Sequence, residues 1–286
     1  MTSDLVLVDS PHGMTVDEVI RLALAEDVGS GDITTLATIP EDAVSTARII
    51  AKEDCVLCGI DVARRVFAQV DGRIQYEALF ADGTQVAAGT DVARISGPSR
   101  GMLTGERTAV NLLQRLSGIA TLTSRYVEQV AGTRARILDT RKTPPLLRTL
   151  AKYAVRCGGG TNHRIGLYDA ILIKDNHIQA AGGIAPALSR VHELYGGRYT
   201  IEIEVETLDQ LGEALEAGTD IVLLDNMPPE QIRRARTLYG PDFRIEASGR
   251  IELSKVAEYA AAGADYISVG ALTHSAPCID FSMEFA

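Results

Sequence analysis

From residue 135 onward, strand-like and helix-like runs alternate, which predicts an α/β fold built on a parallel sheet. Three observations support this. Apolar runs such as "AILI" (170 to 173) read as strands covered on both faces. The runs between keep helical spacing, and two of them stop at Gly218 and Gly263, where a helix C-terminus favours glycine. Before about Arg100 the texture changes to glycine-punctuated β-like runs, the mark of a smaller α+β domain with a partly antiparallel sheet.

In chain order, "VDEVIRLALAE" reads as a helix and "DVGSGDIT" as a turn. Short β runs follow in "TARIIAKEDCVLCGI", "QYEALFADGTQVAAGT" and "VARISGP". Residues 103 to 130 read as a long connecting helix, with Ala109, Leu112, Leu113, Leu116 and Ile119 or Ala120 on one face. Ser117, Gly118 and Ala120 are small enough there for close packing. Six strands are then legible: "ARILDTRK", "AILIKDNH", "TIEIEVE", "DIVLLDN", "RIEASGR" and "YISVGAL". A closed barrel of this type has eight.

The 286 residues suit one large domain or two smaller ones, and 46% hydrophobic with 23% charged residues is ordinary for a globular core. A formal charge of -10 argues against nucleic acid as a partner. The N-terminus has no basic stretch and carries Asp4 and Asp9, unlike a secretory signal. No apolar run approaches the roughly 18 residues of a membrane span, so a cytoplasmic location without membrane contact is expected. Cys55 and Cys58 form a CxxC, but no second pair or nearby histidine completes a zinc site, and burial as small hydrophobes outweighs a redox role.

Ligands of parallel α/β folds sit at the carboxyl ends of the strands. Those ends read Asp139, Arg141 and Lys142; Lys174, Asp175 and Asn176; Glu204 and Glu206; Asp225 and Asn226; Glu246 and Ser248; Ser268 and Gly270. Every strand finishes in polar chemistry. In "TIEIEVE", Glu202, Glu204 and Glu206 share a face opposite Ile201, Ile203 and Val205, and they need cationic or hydroxyl partners. The loop "GGGTNHRIG" adds His163 and Arg164. So many cations in an acidic chain fit a ligand with several negative charges. Backbone donors at Ser268 and Gly270 suit a phosphate, and Glu204 and Asp225 suit ribose hydroxyls and positive charge developing at an anomeric carbon.

The runs "EDVGSGDIT", "ERTAVNLLQRLSGIAT", "DTRKT", "GGGTNHRIGLYDAILIKDNH", "EIEVE", "VLLDNM", "EASG" and "THSAPCIDFSM" together resemble the quinolinate phosphoribosyltransferase family, in order from about Leu22 to Met283. The resemblance implies an N-terminal α/β sandwich domain (1–110), a C-terminal open, six-stranded, TIM-like α/β barrel (111–273) and a final segment (274–286) returning to the first domain. It implies that quinolinate and phosphoribosyl pyrophosphate give nicotinate mononucleotide, carbon dioxide and pyrophosphate, a step of NAD synthesis. Magnesium is expected to arrive mainly with phosphoribosyl pyrophosphate, and no residue is assigned as its ligand. By resemblance Arg141, Lys142, His163, Arg164 and Lys174 surround the carboxylates and phosphates, with Thr140 beside them. Glu204 and Asp225 face the ribose and pyrophosphate, Ser248 and Gly249 with the segment Val269, Gly270 and Ala271 hold the 5′-phosphate, and Arg250 either adds a phosphate contact or narrows the site. Lys142, Lys174, Glu204 and Asp225 are the catalytic set, and Arg107 reaches the neighbouring site of a homodimer or larger homo-oligomer.

Two places depart from the family pattern. Pro144-Pro145-Leu146 stands where Thr-Pro-Gly is usual, and Arg250 follows "EASG" where glycine is common. Three other readings remain open: a fold paralogue with another anionic ligand, a Schiff-base aldolase using Lys174, and a non-catalytic anion-binding regulator.

Overall fold

The computed structural model describes Leu7 and residues 13–286; the stretch with Asp4 and Asp9 lies outside the described residues. The chain forms two compact units. One takes the chain up to Ser124 with Thr143–Gly159 and Leu272–Ala286, the other Arg125–Lys142 and Gly160–Ala271. In order, the strands are β1 (Val44–Ala51), β2 (Cys55–Val56), β3 (Gln75–Ala78), β4 (Gln85–Val86), β5 (Asp91–Pro98), β6 (Arg136–Leu138), β7 (Ile171–Ile173), β8 (Ile201–Val205), β9 (Ile221–Asp225), β10 (Arg244–Ser248), β11 (Tyr266–Ser268) and β12 (Phe281–Phe285).

In the first unit the helix Val16–Val28 starts at a capping box: Thr15 Oγ1 accepts from the Glu18 N–H, and the Glu18 carboxylate accepts from the Thr15 N–H. A four-stranded antiparallel sheet runs β12-β1-β5-β3, so the C-terminal strand pairs with β1. The helix Ile60–Val70 buries Val62, Ala63, Val66 and Phe67. Burying Phe67 alone is worth about 1.5–3 kcal/mol. Asp82 caps this helix, accepting from the Gly59 and Ile60 N–H groups and from the Tyr153 hydroxyl. Cys55 and Cys58 are buried, as expected, and burial together with a Cys157 hydrogen bond pushes the Cys58 thiol well up.

The expected connecting helix runs Ser99–Gln129, with Ala109, Leu113, Leu116 and Ile119 buried. Its small residues allow the C-terminal segment to cross closely. A Cβ on Gly118 would stand 1.9 Å from the Pro277 carbonyl oxygen. Arg115 secures the crossing by donating to the carbonyls of Ala276 and Thr273.

The second unit is a six-stranded parallel sheet in the order β6-β11-β10-β9-β8-β7. The sequence neighbours β6 and β7 are therefore its two edges, and the barrel is open between them. Following helices bury one face each, such as Leu211 and Ala214, Ile232 and Ala235, or Val256 and Ala260. Pro229 starts its helix where the missing N–H costs nothing. At the strand starts one device occurs twice. Asp220 Oδ2 accepts from the Ile201 N–H and Asp265 Oδ2 from the Ile245 N–H, each acid following a glycine-ended helix. The helix Arg148–Cys157 follows β6 in sequence but groups with the first unit.

Leu146 has φ 65°, a left-handed backbone that costs a branched side chain about 1–2 kcal/mol. Leu146→Gly is expected to raise unfolding free energy by about 0.5–1 kcal/mol, part of the relief being lost to glycine's unfolded-state entropy. Gly118→Ala is expected to lower it by about 1–3 kcal/mol, because backbone must shift to admit the methyl group. Urea midpoints at constant m-value measure both.

Candidate active site

The strand ends of the second unit assemble the site from β6 outward. Asp139, fully buried just after β6, accepts from the His163 N–H at 2.9 Å and from the Asn162 side-chain amide. Thr161 exchanges backbone bonds with Ile137 and Asp139. The loop carrying His163 and Arg164 is thus attached to the open edge of β6. Asn162 was outside the expected site set, and Asp139 was read as a polar strand end without a role of its own. A buried carboxylate at a strand end must find donors, and the next polar loop supplies them.

Thr140 Oγ1 accepts from the Lys142 N–H at 3.0 Å, which turns the chain after the strand and leaves Lys142 exposed. Arg141 is half-buried. Burial and then the nearby Arg141 charge lower the Arg164 pKa, with Glu202 and Asp169 pulling the other way. Two guanidiniums close enough to oppose each other's charge form a seat for anions.

At β7 the structure differs from a strand running through 177. The strand stops at Ile173, and a helix covers Asp175–Ala181. His177 Nδ1 accepts from the Lys174 N–H at 2.9 Å, so His177 caps that helix. Lys174 Nζ donates to Glu204 Oε2 at 2.7 Å, joining the ends of β7 and β8. At β9, Asp225 Oδ2 accepts from Asn226 Nδ2 at 2.7 Å, and the Asn226 N–H donates to the Ser248 carbonyl. Gly249 has φ 115°, and a Cβ there would stand 2.3 Å from Asn226 Oδ1. Arg250 is exposed with φ 41°, again non-glycine in the left-handed region. Val269 is buried and donates its N–H to the Leu138 carbonyl, with Gly270 and Ala271 half-buried beyond it. Arg107 is exposed on the long helix of the first unit.

Beneath these ends, His163 Nε2 lies 3.0 Å from Glu202 Oε2 and 3.4 Å from Glu246 Oε2. Burial disfavours a charged His163 ring, whereas the two acids favour it. Glu202 is pushed up to about 7, by burial first and then by the charge of Glu246. These three groups have the spacing of a metal site. His163 Nδ1, however, accepts from the Arg164 N–H at 2.7 Å, which puts the ring proton on Nε2, where a metal would need a lone pair.

An open parallel α/β barrel with paired guanidiniums and carboxylates at its strand ends defines a protein that handles small polyanions. The model of the quinolinate phosphoribosyl transferase C-terminal domain matches residues 119–284, and that of the N-terminal domain matches residues 32–117. A probable nicotinate-nucleotide pyrophosphorylase (carboxylating) of Bacillus subtilis is 42% identical, covering 91% of this chain and 89% of that protein. The nicotinate-nucleotide pyrophosphorylase (carboxylating) of Mycobacterium leprae is 44% identical over 93% and 96%. A solved nicotinate-nucleotide pyrophosphorylase from Francisella tularensis superposes with TM-score 0.90 at 43% identity, covering 95% and 96% of the two chains. The chain belongs to the quinolinate phosphoribosyl transferase family.

A folded pKa of Glu202 raised above the ordinary 4.5 means that the folded chain holds this proton more tightly than the unfolded chain. Its stabilising contribution is complete below about pH 4.5 and is lost as pH climbs through about 7. Urea unfolding at pH 5, 6 and 7 is therefore expected to show a smaller loss of stability with rising pH in Glu202→Gln than in wild type.

Proposed function

We infer that this chain transfers the phosphoribosyl group of phosphoribosyl pyrophosphate to the ring nitrogen of quinolinate with loss of carbon dioxide, giving nicotinate mononucleotide and pyrophosphate. The observation that carries the reading is the Lys174–Glu204 pair at strand ends that also present Arg141 and Asp225, with Arg164 on a loop where its charge opposes that of Arg141.

The chemistry follows from charge. The two guanidiniums take the dicarboxylate, which relieves their mutual repulsion. Opening the Lys174–Glu204 pair frees an ammonium for a substrate anion and a carboxylate for the ribose side. The pyridine nitrogen lone pair forms the bond to the anomeric carbon as the bond to pyrophosphate breaks and its electron pair leaves with pyrophosphate. Glu204 and Asp225 stabilise the cationic character of that carbon. The ring nitrogen is then positive. The adjacent carboxylate departs as carbon dioxide, and the ring cation holds the electron pair left on carbon until a proton arrives. Lys174 serves as a cation here, whereas a Schiff base needs its lone pair. Glu204 and Asp225 are hard oxygen groups suited to magnesium, which neutralises pyrophosphate charge when bound. The active unit in this reading is a homodimer in which Arg107 serves the partner's site. No helix among the described residues is long and apolar enough to cross a membrane.

Quinolinate, phosphoribosyl pyrophosphate and magnesium are expected to yield nicotinate mononucleotide and carbon dioxide, and nicotinate in place of quinolinate no product. No turnover by the folded chain would sink the reading. Arg107→Ala and Lys174→Ala are each expected to be inactive alone. Mixed after subunit exchange, they should recover about a quarter of wild-type activity, as a shared two-fold site requires.

A further inference from the structure

The substrate-facing residues leave one buried cluster without a task. Glu202 on β8 and Glu246 on β10 flank β9 and point their carboxylates at the same nitrogen, His163 Nε2, with side chains 6% and 2% exposed. One Glu202 oxygen, Oε1, is buried with no hydrogen-bond partner among the described residues. Two carboxylates in a dry interior are expensive, and packing alone gives no reason to keep them. On the far side of the ring, Nδ1 accepts from the Arg164 N–H at 2.7 Å.

We propose that Glu202 and Glu246 are positioning residues: acting through the His163 Nε2–H, they fix the His163–Arg164 backbone so that the Arg164 guanidinium is set for a substrate carboxylate. This rests on the reading of Arg164 as a quinolinate ligand.

Rigidity favours it. His163 and Arg164 lie on a loop, whereas both acids stand on interior strands of a six-stranded sheet, each paired on both sides. Asp139 holds the loop's backbone through the His163 N–H, and the acid pair holds the ring. Losing either constraint leaves the Arg164 amide free to turn. Charge favours it as well. Arg141 and Arg164 repel each other, and Glu202 is one of the two acids that offset this at Arg164. The ring therefore meets the substrate site through its neighbour, with both its nitrogens engaged inside the protein.

The test compares purified full-length wild type with Glu202→Gln, Glu246→Gln, His163→Ala and the double variant of Glu246→Gln with His163→Ala. Each glutamine variant is expected to raise the quinolinate KM roughly 10–100-fold, as loss of a charge-assisted hydrogen bond would, with the phosphoribosyl pyrophosphate KM moving less than about 3-fold. His163→Ala should match that rise, and adding Glu246→Gln to it should change the quinolinate KM less than about 2-fold, since residues acting in series are not additive. Additive effects, an equal rise in both KM values, or a lowered melting temperature with unchanged KM values would overturn the proposal. Glu202→Asp, which keeps the charge on a shorter arm, replaces Glu202→Gln if that variant does not fold. Nitrogen-15 spectra of the His163 ring read the same linkage without substrate. Wild type should show a protonated Nε2 and an accepting Nδ1, and Glu246→Gln should mix the two tautomers. An unchanged ring in Glu246→Gln overturns the proposal. A wild type that fails to turn over quinolinate overturns the functional reading instead, while the spectra still decide the linkage.

Discussion

Like charges cannot be gathered in a half-buried site unless opposite charges stand beside them, and this constraint shapes the strand ends of the second unit. Lys174 has Glu204 at 2.7 Å, and Arg164 has Glu202 and Asp169 against the pressure of Arg141. Each of these cations thus carries a resident counter-charge. A ligand that brings negative charge can exchange with that partner. The site can then stay folded without substrate and still offer its cations to an anion.

A parallel sheet makes the arrangement possible. Its strands all deliver their ends to one rim, and the loops that follow can be short and heavily tethered. The residues after β6 and the loop at 161–164 are tied to each other by Asp139, Thr161 and Asn162 rather than by regular secondary structure. The rim's precision therefore depends on a few side-chain bonds.

Leu146 and Arg250, the two departures from the pattern that the resemblance implied, both have positive φ. Glycine would adopt this backbone shape without strain, and a side chain does not. Asn226, the third such position, belongs to a residue type that tolerates the conformation. A fold can hold such strain when its surroundings over-determine the local path, as the Asn226–Gly249 contact does beside Arg250.

Sequence alone determined the alternation of strands and helices, the length of the connecting helix and the list of charged strand ends. These follow from local periodicity and from the rule that parallel strands deliver their ends to one side. Glu202 and Glu246 were legible as acids on strands, but their meeting at one histidine nitrogen was not, because it depends on the order β10-β9-β8 in space. The placement of Arg148–Cys157 with the first unit, the helix that begins at Asp175 and the crossing of Pro277 over Gly118 were equally hidden. Each is decided by which residues meet across long stretches of chain. Only the tertiary structure sets which buried donor finds which acceptor, since the same side chains could satisfy one another in many pairings until packing leaves one.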